Sequence, residues 1–84
     1  TVVSARARAD AAREAAAAAE GAREDAARLG TIAEAAYQGG EGGVVELVDA
    51  YRTARDAEIS IVELTERAVR ATIDLELAEG GLNP

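Results

Sequence analysis

Residues 36–50 read Ala36-Tyr37-Gln38-Gly39-Gly40-Glu41-Gly42-Gly43-Val44-Val45-Glu46-Leu47-Val48-Asp49-Ala50. Four glycines in five positions end any helix that reaches them, because glycine has the most backbone freedom to lose on ordering. On either side the chain is rich in alanine, glutamate, arginine and leucine, all strong helix formers. The pattern predicts one helix over about 4–38, a turn at 39–43 and a second helix over about 44–79. At 1.5 Å per residue each rod is ~50 Å long, and a short turn between two such rods folds them antiparallel. The predicted fold class is all-α: one long antiparallel two-helix coiled-coil hairpin with a Gly-rich turn.

The turn residues fit this reading. Gly39 or Gly40 can take the left-handed conformation that closes the first helix. Gly42 or Gly43 can cap the start of the second. Glu46 and Asp49 then lie near its positive end, where acids are favoured. Gly80 and Gly81 stop the second helix, with Pro84 just beyond.

Periodicity sharpens the picture. Leu47, Ala50, Ala54, Ala57, Ile61, Leu64, Ala68, Ala71, Leu75 and Ala78 are spaced alternately by three and four, the mark of a heptad seam. A second stripe runs beside it through Val44, Val48, Tyr51, Val62, Val69 and Ile73, with Arg55 and Glu58 or Ile59 where it crosses mid-helix. The first helix also offers two stripes, almost wholly of alanine. One is Ala5, Ala9, Ala12, Ala16, Ala19, Arg23, Ala26, Gly30, Ala33 and Tyr37; the other is Ala11, Ala15, Ala18, Ala22, Asp25, Leu29, Ile32 and Ala36. Alanine lets backbones approach closely but buries little area. A lone hairpin so built has a thin core and marginal stability, so two stripes per helix imply neighbours on both sides. The pairs Glu24 with Arg28, Glu63 with Arg67 and Glu66 with Arg70 have the favoured i, i+4 order for support along the helix surface.

Composition narrows the chemistry. The chain has 84 residues, 22 of them alanine, and no cysteine, histidine, methionine, tryptophan, phenylalanine or lysine. Disulfides, Cys/His zinc sites and His- or Cys-based catalysis are therefore ruled out. No run of 18 apolar residues could span a bilayer as a helix. Thr1 at the start, with no leader pattern after it, reads as a piece of a larger protein. The net charge is −7, of which residues 39–84 carry −6 (four arginines against ten acids). Such a surface repels phosphate backbones and anionic headgroups, so neither nucleic acid nor a membrane surface is an expected partner.

No catalytic, cofactor or metal site is expected. Glu46 and Asp49 share a helix face, but no pocket, nucleophile or oxyanion donor accompanies them. Glu41, Glu46 and Asp49 lack the spacing of a calcium loop. Gly39-Gly40-Glu41-Gly42-Gly43 lacks the Gly-Lys-Ser/Thr ending of a phosphate loop, and its central acid would repel phosphate. Tyr37 and Tyr51, the only aromatics, flank the turn and are expected to fill the core at that end.

The stretch from Ala36 to Ala50, continuing Tyr51-Arg52-Thr53-Ala54-Arg55-Asp56-Ala57-Glu58, resembles the TolC family of outer membrane efflux proteins. Tyr37, Gly40, Val44, Val45, Leu47, Val48, Asp49, Ala50, Arg52 and Thr53 fall in register with that family's pattern. Glu41 and Glu46 to Arg52 look closest to its heavy-metal branch, the CzcC-like proteins. The end, Ile73 to Gly81, resembles the close of a long family helix. The resemblance covers roughly residues 30–81.

It implies a helical hairpin from the periplasmic part of an efflux channel. In that family three protomers (a homotrimer) supply hairpins to a twelve-helix tunnel continuous with an outer membrane β-barrel. The turn docks a periplasmic adaptor protein of a tripartite pump, and no reaction is catalysed. The implied docking residues are Tyr37, Gly39, Gly40, Glu41, Gly42, Gly43 and Val44, with Leu47, Asp49, Ala50 and Arg52 as family-motif positions. Family tips often carry Val-Gly-Leu where this chain has Gly39-Gly40-Glu41, so only Gly40 matches there. Any membrane contact would come through parts outside this chain. The alternative reading is a stand-alone helical dimerisation or scaffold module with no transport role.

Overall fold

The structure, a computed structural model, describes residues 1–80. Two helices of 37 residues each, α1 (Val2–Gln38) and α2 (Val44–Gly80), lie antiparallel in a rod 67 × 14 × 13 Å. The helix α1 starts two residues before the predicted boundary because Thr1 caps it: the Ser4 N–H donates to Thr1 Oγ1 at 3.2 Å. The helix α2 runs through Gly80. Gly80, the first of the two glycines expected to stop it, is thus itself helical, a cost of only about 1 kcal/mol; Gly81 and Pro84 lie outside the described residues.

The turn is built by backbone bonds. The Glu41 N–H donates to Ala36 O at 2.8 Å and the Gly40 N–H to Tyr37 O at 3.1 Å. This six-to-one and five-to-two pairing is the Schellman closure of a helix. It requires one left-handed residue, and Gly40 supplies it with φ +77°, whereas Gly39 stays right-handed at φ −81°. The Gly42 N–H also donates to Ala36 O, at 3.0 Å, which folds the tip back onto the end of α1. Gly43 O accepts from the Leu47 N–H at 3.2 Å and so stands at the N-cap of α2. Glu46 Oε2 bends back over Gly43, close to where a side chain there would begin.

The seam between the helices follows the heptad spacing. All ten seam residues of α2, from Leu47 to Ala78, are buried or half-buried. On α1 the same holds from Ala5 to Ala33. Ala5, Ala9, Ala19, Ala26 and Gly30 are the fully buried positions of α1, and Ala68 and Leu75 those of α2. At the open end Ala5 and Ala9 meet Leu75, with Val2, Ala71 and Ala78 packed around them. Among the described residues Leu75 is the only large side chain that is buried, and its burial contributes about 2 kcal/mol.

Three expectations need correction. Tyr37 leaves the α1 seam and is 47% exposed, while Ala36 is half-buried in its place. The chain folds back at the tip there, and Gly42 lies against the Ala36 methyl group. Tyr51 is likewise 46% exposed, so neither tyrosine fills a core. Of the predicted i, i+4 pairs, Glu66 with Arg70 forms, at 3.6 Å, but Arg28 pairs with Asp25 instead of Glu24. Among the described residues Glu63 and Arg67 are not within ion-pair distance. Residues three and four apart are equally near on a helix surface, and the pairing switches at little cost.

Two glycine substitutions should move stability in opposite directions. Gly40→Ala places a Cβ on a left-handed residue and should cost about 1–2 kcal/mol. Gly21 is helical with nothing within 4 Å of an added Cβ, so Gly21→Ala should stabilise by about 0.5–1 kcal/mol. Urea unfolding followed by circular dichroism at 222 nm reads both.

Candidate functional site

The tip is exposed almost throughout. Tyr37, Gly39, Gly40, Glu41, Gly43 and Val44 are all open to solvent, and only Gly42 is partly covered. Val44 and Val45 present an apolar pair at the first turn of α2. The motif positions divide: Leu47 and Ala50 belong to the seam, whereas Asp49 and Arg52 lie exposed on the outer surface. Asp49 is tied in only through its backbone carbonyl, which accepts from Thr53 Oγ1 at 2.9 Å. Glu46 and Asp49 are both exposed, and among the described residues no three acidic side chains converge on a point that could hold a metal ion.

The larger feature is lateral. The second stripe of α2 is exposed at every position: Val44, Val48, Tyr51, Arg55, Glu58, Val62, Thr65 and Val69. Shallow apolar grooves run along it between Arg55 and Ile73. On α1 the second stripe is open except at Ala15 and Ala36, which are half-buried, and Leu29 and Ile32 are 54% and 62% exposed.

These two stripes lie on opposite faces of the hairpin. Each residue turns an α-helix by about 100°, so neighbours before and after a seam residue sit on opposite flanks. Leu29 and Ile32 each precede a seam residue, Gly30 and Ala33. Glu34 and Arg13 each follow one, Ala33 and Ala12. Glu34 accepts the Tyr51 hydroxyl at 2.5 Å, and Arg13 lines a groove with Val69 and Ile73. The α2 stripe therefore shares its face with the polar flank of α1, and the α1 stripe looks the other way.

Side-chain bridges tie the helices on the α2-stripe face. Besides Tyr51 with Glu34 near the tip, Arg6 Nη2 donates to Glu79 Oε1 at 3.1 Å near the open end. The hydrogen bond to Glu34 raises the Tyr51 pKa above its ordinary value of 10.0, with desolvation and the Glu34 charge adding to it. In mid-rod, Arg23 occupies a seam position opposite alanines and turns its guanidinium outward to grip Glu20. That hydrogen bond lowers the Glu20 pKa and raises that of Arg23. Sequence reading missed both cross-helix bridges, because they join residues far apart in the chain; the hairpin register was the one signal that could have found them.

Among the described residues, no helix is long and apolar enough to cross a membrane. No family model matches the chain, and neither a curated protein nor a solved structure does.

The tyrosine clasp has a measurable signature. In a Tyr37→Phe background, ultraviolet titration should place Tyr51 ionisation above pH 10, and Glu34→Gln should bring it down. A folded pKa raised in this way contributes stability below about pH 10 that is lost as pH rises through the folded value. An ionisation unchanged by Glu34→Gln would remove the clasp.

Proposed function

We propose that this hairpin is a structural scaffold module: a rod that assembles side by side with further helices and catalyses no reaction. The observation that carries this reading is the pair of exposed stripes, one per helix, on opposite faces. A rod with a sticky flank on each face can be held from both sides, as a stave is in a wall. The thin alanine seam points the same way. With six buried apolar residues among those described, five of them alanine, the hairpin buries little on its own, and lateral partners add the missing area. Contiguous apolar surface of this kind marks interaction sites.

A second, finer reading takes the rod as the tip-bearing hairpin of an outer membrane efflux protein, placed in the periplasm. What favours it is the tip itself. Tyr37, Gly40, Val44 and Val45, which resemble the TolC pattern, are exposed together at one end of the rod. There they are available to a periplasmic adaptor, while a lateral homotrimer would use the stripes.

Replacing Val62 and Val69 together by Asp should disperse assemblies of the full chain, as read by sedimentation velocity, with helicity retained. Both residues are exposed in the hairpin, so its own seam is untouched. A chain that sediments as a monomer before any substitution, and captures no helical partner, would remove the scaffold reading. For the finer reading, Glu41→Arg at the exposed tip should reduce capture of the cognate adaptor severalfold. Undiminished capture would count against tip docking.

A further inference from the structure

The two lateral stripes fit each other, and the fit fixes a register. Ala5 and Ala9 meet Leu75 across the internal seam. Stepping along the seam from that contact sets Ala26 against Ala54, Gly30 against Ala50 and Ala33 against Leu47. The α1 stripe lies one residue before each seam position, and the α2 stripe one residue after. One step back on α1 and one step forward on α2 cancel. The two stripes therefore match at the same level along the rod as the seam itself. Leu29 stands level with Tyr51, Ile32 with Val48 and Ala18 with Val62. Asp25, the only charged residue in the α1 stripe, stands level with Arg55.

Within one chain these pairs cannot meet, because the stripes are on opposite faces. We infer that the lateral partner is a second copy of this chain, set beside the first with tips level, its α1 stripe on the first copy's α2 stripe, and keyed by an ion pair between Arg55 and the neighbouring copy's Asp25. This rests on the scaffold reading above. Among the described residues Arg55 has no ion-pair partner in its own hairpin, and Asp25 is held only by Arg28 three residues on, an exposed pair of the kind that contributes little. The level register sets bulk on bulk near the tip, where Tyr51 and Val48 meet Leu29 and Ile32. It also matches opposite charges at the one layer where each stripe carries a charge. A parallel pairing of α2 with α2 would instead set Arg55 against Arg55 and Glu58 against Glu58, which charge repulsion disfavours. The contact joins different surfaces on the two copies, so each pair leaves one free stripe at either end and growth continues beyond two. An antiparallel pairing of α2 stripes, with Arg55 on Glu58 of the other copy, is the rival arrangement; it stops at a dimer and leaves Leu29 and Ile32 uncovered.

The test uses the full chain, which has no cysteine of its own within these residues. Leu29→Cys and Tyr51→Cys chains, mixed and mildly oxidised, should give the mixed disulfide well above either homodimer. Concentration-dependent sedimentation should pass beyond the dimer. Asp25→Arg should weaken association roughly five- to tenfold, and adding Arg55→Asp in the same chain should restore it. That rescue can only act between copies, since the two residues face opposite ways in one hairpin, and circular dichroism checks that each variant folds. Assembly that persists but ignores Asp25→Arg, or that crosslinks Tyr51→Cys to Val62→Cys chains instead, overturns the level register and leaves the scaffold reading standing. A chain that stays monomeric and captures no helical partner overturns both.

Discussion

Everything in this hairpin depends on how closely α1 can approach α2. Its contact surface is alanine and glycine for most of its length, with Ala5, Ala9, Ala19, Ala26 and Gly30 fully buried. Methyl groups and hydrogens let two backbones come near, and they leave almost no volume for anything else. The large apolar side chains that the heptad seam keeps buried or half-buried come from α2, as Leu47, Ile61, Leu64 and Leu75. The remaining bulk of both helices is therefore pushed outside, where Leu29, Ile32, Val62 and Val69 stand in solvent. The thin seam and the exposed stripes are one fact seen from two sides.

The tip is the second constraint. Two rods can lie this close only if the link between them is short and turns sharply. The left-handed Gly40 and the two amide bonds onto Ala36 O make that turn with backbone alone. Because the backbone does the work, the tip side chains are not consumed by folding. Tyr37, Glu41 and Val44 stay on the surface. Glu46 is the exception, since its carboxylate folds back over the start of α2.

Electrostatics contributes little to the fold, and in the proposed assembly it would matter more. Apart from Arg6 with Glu79, the ion pairs among the described residues are exposed and local, and such pairs contribute little to stability. The net charge of −7 sets copies against one another at long range, so the proposed lateral contact would need apolar area together with matched charges at the layers where stripes are interrupted. The bridges from Tyr51 to Glu34 and from Arg6 to Glu79 hold the two helices rotationally, which keeps each stripe pointed to its own face.

Much of this was legible in the residues themselves. The glycine cluster set the position of the turn, and the three-and-four spacing named every seam residue of α2 and nearly all of α1, because helix geometry converts spacing directly into direction. The existence of second stripes was equally readable. Sequence could not say that Tyr37 would be exposed and Ala36 half-buried, because that depends on the tip folding back so that Gly42 lies against Ala36. Nor could it choose Gly40 over Gly39, since both can adopt the left-handed state and only the amide pairing selects one. It could not place the stripes on opposite faces, because local periodicity gives each helix its own angles but not the rotation of one helix against the other. That relation came from the Tyr51–Glu34 bridge and from Arg13 beside Val69. The sequence by itself determined two rods and a bend; the packing of one rod on the other decided which surfaces were left for a neighbour.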